Sequence, residues 1–275
     1  MRRAVFPLLV HFAVALAIAG CGWMPWKAGG ATKADPAKPG AIRVGMAPNY
    51  PPISFREDGE LVGIEVDLAR EVVRETGLTV TIKQVPWAEL MPALQSGKID
   101  VIMSGMSVTE ARAKQVAFVE PYLHTGQMVL IRDQDTARLA QPARLRDPGR
   151  SIAVVGGTTG EEYVRKNLTQ AKVVVFAVSD AAAAALAAGE VEFFIHDAPS
   201  IWRFGMAGSP GGAGLVGLYT PLTDEYLAWA VRKDDERLKA QLDAAVRKMK
   251  QSGVVDAIVH RWIETQVEVT PIRLP

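Results

Sequence analysis

The chain reads as an α/β fold built from two similar lobes, and three observations predict it. Short β-rich runs alternate with amphipathic helical runs from Ile42 to Gln266, the pattern of parallel α/β units. The chain also echoes itself. Ala93-Leu94-Gln95-Ser96-Gly97-Lys98-Ile99-Asp100 parallels Ala185-Leu186-Ala187-Ala188-Gly189-Glu190-Val191-Glu192, each leading into an apolar strand and a polar loop. Val44 to Tyr50 likewise parallels Val154 to Gly160 as a strand followed by a special loop. Finally, ligands in open α/β sheets sit beyond the carboxyl ends of the strands. Two facing lobes of mainly parallel sheet flanked by helices therefore bring four loops to one cleft: Ala47–Tyr50, Ser104–Arg112, Gly156–Thr159 and His196–Asp197.

Taken in order, Ile42 to Met46 is a first strand, followed by a Pro-rich loop that excludes helix or central strand. Ile53–Phe55 and Leu61–Gly63 flank Glu57-Asp58-Gly59-Glu60, a hairpin turn. From Glu65 to Thr76, Val66, Leu68, Ala69, Val72 and Val73 share a helix face that Gly77 ends. A strand from Thr79 to Val85, a helix from Pro86 to Gly97 and a strand from Asp100 to Met103 follow. Thr109 then caps a helix whose first turn holds Glu110 and Arg112. Tyr122 to Ile131 is extended and leads into a second region. There, strands at Ser151–Val155, Val173–Phe176 and Val191–Ile195 alternate with helices at Glu161–Leu168, Asp180–Ala188 and Pro199–Met206. A loop spans Gly208–Gly214. A strand from Tyr226 to Val231 returns to the first region, and helices from Asp235 to Ser252 and Val254 to Gln266 close it.

The 275 residues are 49% apolar and carry a net charge of +1. Without Arg2 and Arg3 the remaining 29 basic residues face 30 acidic ones, so no basic patch suggests nucleic acid. His11, His124, His196 and His260 are scattered, and Cys21 is the only cysteine. Neither a metal cluster, a Cys–His nucleophile nor an intrachain disulfide is expected, and no cofactor is implied.

Residues 1–20 read as a signal peptide: a basic start, an apolar run from Ala4 to Gly20, then small residues. Ile18-Ala19-Gly20-Cys21 resembles a bacterial lipoprotein lipobox, with Ile18 in place of the usual Leu. That resemblance implies cleavage before Cys21 and lipidation of Cys21, so that the membrane is reached through this residue. Residues 21–41, rich in Gly, Ala, Pro and Lys, form a flexible tether.

The expected cleft holds one cation, Arg112, and one anion, Asp197, with the hydroxyls of Ser104, Ser107, Thr158 and Thr159. A helix N-terminus and a forked guanidinium suit a carboxylate. Asp197, a loop carbonyl and Ser107 suit an ammonium. Together they grip a zwitterion such as an α-amino acid, with Tyr50 and Trp87 as flat walls. Other roles remain open for these residues: Tyr50 and Trp87 fit a core, Asp197 fits a helix cap, and Thr158 or Thr159 fits an N-cap.

The runs VGMAPNYPPISFREDGELVGIEVDLAREV, VPWAELMPALQSGKIDVIMSGMSVTEARAKQVAFVEPY, VVGGTTGEEYV and FFIHDAPS resemble the polar amino-acid solute-binding proteins of ABC importers, bacterial family 3. The resemblance runs in order from Ile42 to Ile263. It implies a type II periplasmic-binding-protein clamp with two hinge strands, lobe 1 spanning 42–124 and 222–268 and lobe 2 spanning 125–221. It also implies an extracytoplasmic protein, in the periplasm or at the cell surface, that delivers a free amino acid to an ABC permease. By position, Arg112, Ser107 and Thr158 or Thr159 would hold the α-carboxylate. Asp197 and Gly105, assisted by Ser107, would hold the α-ammonium between the walls Tyr50 and Trp87.

Two departures bear on specificity. Relatives taking cationic side chains often carry an acid where this chain has Ala47, and a glutamine-binding relative has lysine where it has Val155. With Met46, these residues predict a neutral ligand, with His196 as a side-chain partner. Cyclohexadienyl dehydratases are also similar, but carry a glutamate where this chain has Ser200, and elimination needs a placed acid or base. A ligand-sensing lipoprotein would use the same clamp.

Overall fold

The computed structural model describes residues 40–206 and 214–263. The expected signal peptide, most of the tether, Cys21, most of the Gly208–Gly214 loop and the end of the last helix lie outside these residues. Among the described residues no helix is long and apolar enough to cross a membrane.

The chain opens with β1 (Ala41–Met46), β2 (Asn49–Tyr50), β3 (Ser54–Glu57) and β4 (Glu60–Val62). Helix α1 (Ile64–Thr76), β5 (Thr79–Gln84), α2 (Trp87–Gln95), β6 (Val101–Ile102), the single turn α3 (Glu110–Ala113) and β7 (Ala117–Phe118) follow. Strands β8 (Leu123–Thr125) and β9 (Gln127–Arg132) lead onward to α4 (Thr136–Leu139). Then come β10 (Ser151–Val155), α5 (Thr159–Asn167), β11 (Lys172–Phe176), α6 (Ser179–Ala187), β12 (Phe193–Asp197), α7 (Ala198–Gly205) and β13 (Leu215–Leu218). The chain returns through β14 (Glu225–Leu227) and β15 (Ala230–Val231) and closes with α8 (Glu236–Gln251) and α9 (Val254–Trp262).

Two five-stranded sheets form, ordered β5-β1-β6-β15-β7 and β11-β10-β12-β9-β13. The internal echo is visible in them. In each, the first strand pairs in parallel with the second and third, and the third meets an antiparallel crossing strand. The sheets are thus mixed, their parallel half carrying the βα units. Strands β8 and β14 pair antiparallel, Tyr226 opposite His124, and form the double link between the sheets. Strand β8 continues into the second sheet and β14 into the first, so each lobe is completed by a strand arriving from the other.

Sequence explains most of these elements. In α1, Val66, Leu68, Ala69 and Val72 are buried. Gly77 ends the helix in the left-handed conformation, its N–H on Val73 O at 2.9 Å. Strand β12 is buried along its whole length, because apolar clusters cover both faces of the second sheet. Gly63 enters α1 at φ 123°, and a Cβ there would stand 2.5 Å from Ile53 O, so only glycine fits this turn.

Three expectations change. The helix after Thr109 is one turn, too short for a macrodipole. The single strand expected over Tyr226–Val231 splits, because Ala228 turns aside to bond Met106 O at 3.0 Å and Trp229 is buried between the two pieces. Strand β13 was not foreseen, since its pairing with β9 is decided by a partner far away in sequence.

Candidate functional site

The strand ends of both sheets meet in one cavity of about 440 Å³, partly open to solvent. Of the residues expected at the site, Tyr50, Trp87, Gly105, Ser107, Arg112, Thr158, Thr159, His196 and Asp197 line it, together with Ala47 and Val155. Ser104 does not line it: its Oγ accepts the Ala47 N–H at 3.0 Å and so shapes the first loop from behind. Met46 is also buried away from the cavity, because alternation along β1 turns it into the core.

Arg112 lies 9% exposed at the end of the α3 turn, which Thr109 caps through the Arg112 N–H. One guanidinium nitrogen donates to Ser107 O at 3.0 Å, the other to Gly157 O at 3.1 Å, and the fork stands 5.4 Å from the Trp87 ring centre. Burial lowers its pKa, while Glu162 and Glu225 act the other way. What this turn offers an anion is the fork rather than a helix terminus.

The two threonines divide their work. Thr158 is the N-cap of α5, accepting from Glu161 N at 3.3 Å and donating to Val155 O at 2.7 Å. Thr159 instead faces a buried polar network. Its hydroxyl donates to Glu225 Oε2 at 2.8 Å, accepts from Gln127 Nε2 at 3.0 Å and stands 3.5 Å from Ser107 Oγ. Gln127 also donates to Asp197 Oδ1, and Tyr50 OH donates to Asp197 Oδ2. Asp197 makes no side-chain cap on α7, which leaves its carboxylate to the cavity. Burial, then the neighbouring Glu225, push its pKa well above the usual carboxylate value. Beside it His196 is 4% exposed, and burial lowers its pKa to about 4, so it is neutral at pH 7. Its Nδ1 accepts the Asp197 N–H at 2.8 Å, which leaves the ring proton on Nε2. Its ring meets Tyr50 edge-on at 5.2 Å.

Gly105 has φ +64°, and a Cβ there would stand 2.7 Å from the Tyr50 ring. The close approach of this loop to Tyr50 requires glycine. Trp87 donates through Nε1 to Gly157 O at 3.3 Å, so it bridges two loops as well as bounding the cavity.

Sequence reasoning missed Gln127 and Glu225, which sit on crossing strands and hold Thr159 and Asp197. The signal was present for Gln127: a polar residue opening the apolar run Met128 to Ile131, and fully buried. Asn49 of the expected first loop also lines the cavity, as do Ala177, Val178 and Ser179, which lie outside the four expected loops.

Two lobes linked by two strands, with Arg112 and Asp197 in the cleft between them, have the form of a clamp. Residues 42–265 match the bacterial extracellular solute-binding proteins, family 3, and the chain belongs to that family. It is 28% identical to the histidine-binding periplasmic protein of Salmonella typhimurium, over 86% of this chain and 93% of that one. Among solved structures it resembles the ancestral amino acid-binding protein AncCDT-1, a precursor of cyclohexadienyl dehydratase (TM-score 0.75, 30% identity, 82% of this chain and 96% of that one). It also resembles the arginine-bound form of truncated ArgBP from T. maritima (TM-score 0.70, 34% identity, 77% of this chain and 97% of that one).

Proposed function

We propose that this chain captures a free amino acid between its lobes outside the cytoplasm and delivers it to an ABC permease. The observation that carries the reading is the presence of Arg112 and Asp197 in one cavity where the two lobes meet. Arg112 has donors left beyond Ser107 and Gly157 for a carboxylate. Asp197 has two neutral donors and no cation, so an ammonium arriving there restores its charged form. Lobe 1 is assigned to 42–124 and 222–268 and lobe 2 to 125–221, which puts the boundaries at the β8–β14 ladder. Residues 1–20 are assigned as a signal peptide, and 21–41 as a tether anchored through lipidated Cys21 in the periplasm or at the cell surface.

The side chain of the ligand is proposed to be neutral and to carry a hydrogen-bond acceptor. Among the described residues Asp197 is the only acid lining the cavity, and Ala47, Val155, Ala177 and Val178 are apolar. An ammonium or guanidinium at the side-chain end would lose its hydration without a partner. The neutral His196, with its proton on Nε2, offers one donor. Dehydratase chemistry finds no support at Ser200, which is buried and donates to Pro51 O at 2.7 Å rather than lining the cavity.

A thermal-shift screen of the mature protein against the amino acids tests this. A ligand at a hundred times its Kd adds about 2.7 kcal/mol of stability. Neutral polar amino acids are expected to give the largest shifts, and Arg112→Ala or Asp197→Ala to remove them. A shift with arginine or lysine alone overturns the neutral assignment. A shift that both variants retain overturns the site.

A further inference from the structure

Glu65 has no part in the ligand grip, yet it is 0% exposed and lies on the side of the Ser104–Arg112 loop away from the cavity. Three neutral donors converge on its carboxylate. The Gly105 N–H reaches Oε1 at 2.9 Å, Tyr122 OH reaches Oε1 at 2.8 Å, and Trp229 Nε1 reaches Oε2 at 2.8 Å. Among the described residues no basic side chain bonds it. These donors come from three separate places. Gly105 belongs to the cavity loop. Tyr122 immediately precedes β8, the outgoing link between lobes. Trp229 lies between β14 and β15, on the returning link. The Tyr122 and Trp229 rings pack at 6.1 Å, and Tyr122 N bonds Leu227 O at 3.0 Å.

A carboxylate buried without a cation is unfavourable, and an apolar residue of similar volume would serve a purely structural core at least as well. Burial holds this one at a pKa of about 7 against the three hydrogen bonds that favour its charged form. What an apolar residue cannot do is accept from three groups at once.

We infer that Glu65 is a positioning residue that fixes the Gly105 peptide of the binding loop to the roots of both interlobe strands, so that ligand occupancy and lobe closure act on the same carboxylate. This rests on the amino-acid reading of the cavity. An ammonium taken by the Gly105 carbonyl would pull on the peptide that follows the Gly105 Cα, next to the one whose N–H Glu65 holds. Movement of the links would reach it through Tyr122 and Trp229.

The test has two arms on the mature protein. In the first, the Gly105 amide and the Trp229 indole N–H are followed by NMR, with Trp229 assigned through Trp229→Phe. Without ligand, both resonances are expected to titrate with one shared midpoint near 7, and both titrations to vanish in Glu65→Gln. Independent midpoints, or titrations that persist in Glu65→Gln, overturn the inference. This arm needs no ligand, and the wild-type comparison stands even where the variant does not fold. In the second arm, the amino acid found in the screen is titrated calorimetrically. Glu65→Gln, whose amide sets an N–H against a donor, is expected to bind about tenfold more weakly. The Trp229 indole is expected to shift on ligand addition although Trp229 does not line the cavity. Wild-type affinity in a folded Glu65→Gln variant together with a stationary indole overturns the inference. If no amino acid binds the wild type, the cavity reading fails, and the first arm alone decides the role of Glu65.

Discussion

Arg112 keeps its charge at 9% exposure by spreading one fork over two carbonyls, Ser107 O in the first lobe and Gly157 O in the second. A lysine there is a point charge that cannot span both. Arg112→Lys is expected to weaken ligand binding by about tenfold or more, read by calorimetry. His196 and Glu65 are both buried, and each is pushed toward its neutral form. The folded pKa of His196, about 4, lies below the ordinary 6.5. Its contribution to stability is therefore complete above pH 6.5 and disappears as pH falls through 4, to the extent of about 3 kcal/mol. Glu65, raised from 4.5 to about 7, behaves oppositely. Its contribution is complete below pH 4.5 and is lost as pH rises through about 7, again by about 3 kcal/mol. Urea unfolding across this range is expected to show the acid-side loss flattened in His196→Asn and the loss toward neutral pH flattened in Glu65→Gln. Unchanged profiles would contradict the burial of these groups.

At the scale of elements, adjacent threonines separate folding from the site. Thr158 caps α5, and Thr158→Ala is expected to lower unfolding stability by about 1 kcal/mol. Thr159→Val leaves that cap in place but takes the donor from Glu225 Oε2. A buried carboxylate oxygen left without its donor costs about 1–3 kcal/mol. The two losses are measurable by urea unfolding, and the larger should belong to Thr159. Helices such as α1 were legible because three turns of apolar spacing and a terminal glycine repeat one message along the chain. The two-residue strand β7 carries no period of its own, and β13 is defined only by its distant partner. The same contrast holds at the site. Arg112, Thr159 and Asp197 stand in recognisable loops. Glu225 opens the short strand β14, which no local motif marks, and reaches them through its hydrogen bond from Thr159 and its charge.

For the whole molecule, the lobes touch away from the cavity as well as around it. Ser200 donates to Pro51 O at 2.7 Å, and the Arg203 guanidinium lies 4.6 Å from the Phe55 ring centre. Both pairs join α7 of the second lobe to the first-lobe segment from Pro51 to β3, so they favour closure without ligand. Removing them with Ser200→Ala and Arg203→Ala is expected to enlarge the radius of gyration of the unliganded protein in X-ray scattering. The liganded value should stay the same. Apparent affinity should fall with the closed fraction. Equal unliganded radii would show that these contacts do not bias the clamp.

Sequence by itself determined the α/β alternation, the repeated lobe and the loops that hold the ionic grip, because periodicity, turn residues and charged side chains act over a few neighbouring positions. The tertiary structure decided which hydroxyl faces the cavity and which caps a helix, removed Ser104 and Met46 from the lining, and brought Gln127 and Glu225 to Asp197. It also gathered Gly105, Tyr122 and Trp229 onto Glu65. Such contacts join residues up to 164 positions apart. Whether a buried polar atom finds its partner depends on where two sheets and their crossing strands place it, and no local pattern encodes that placement.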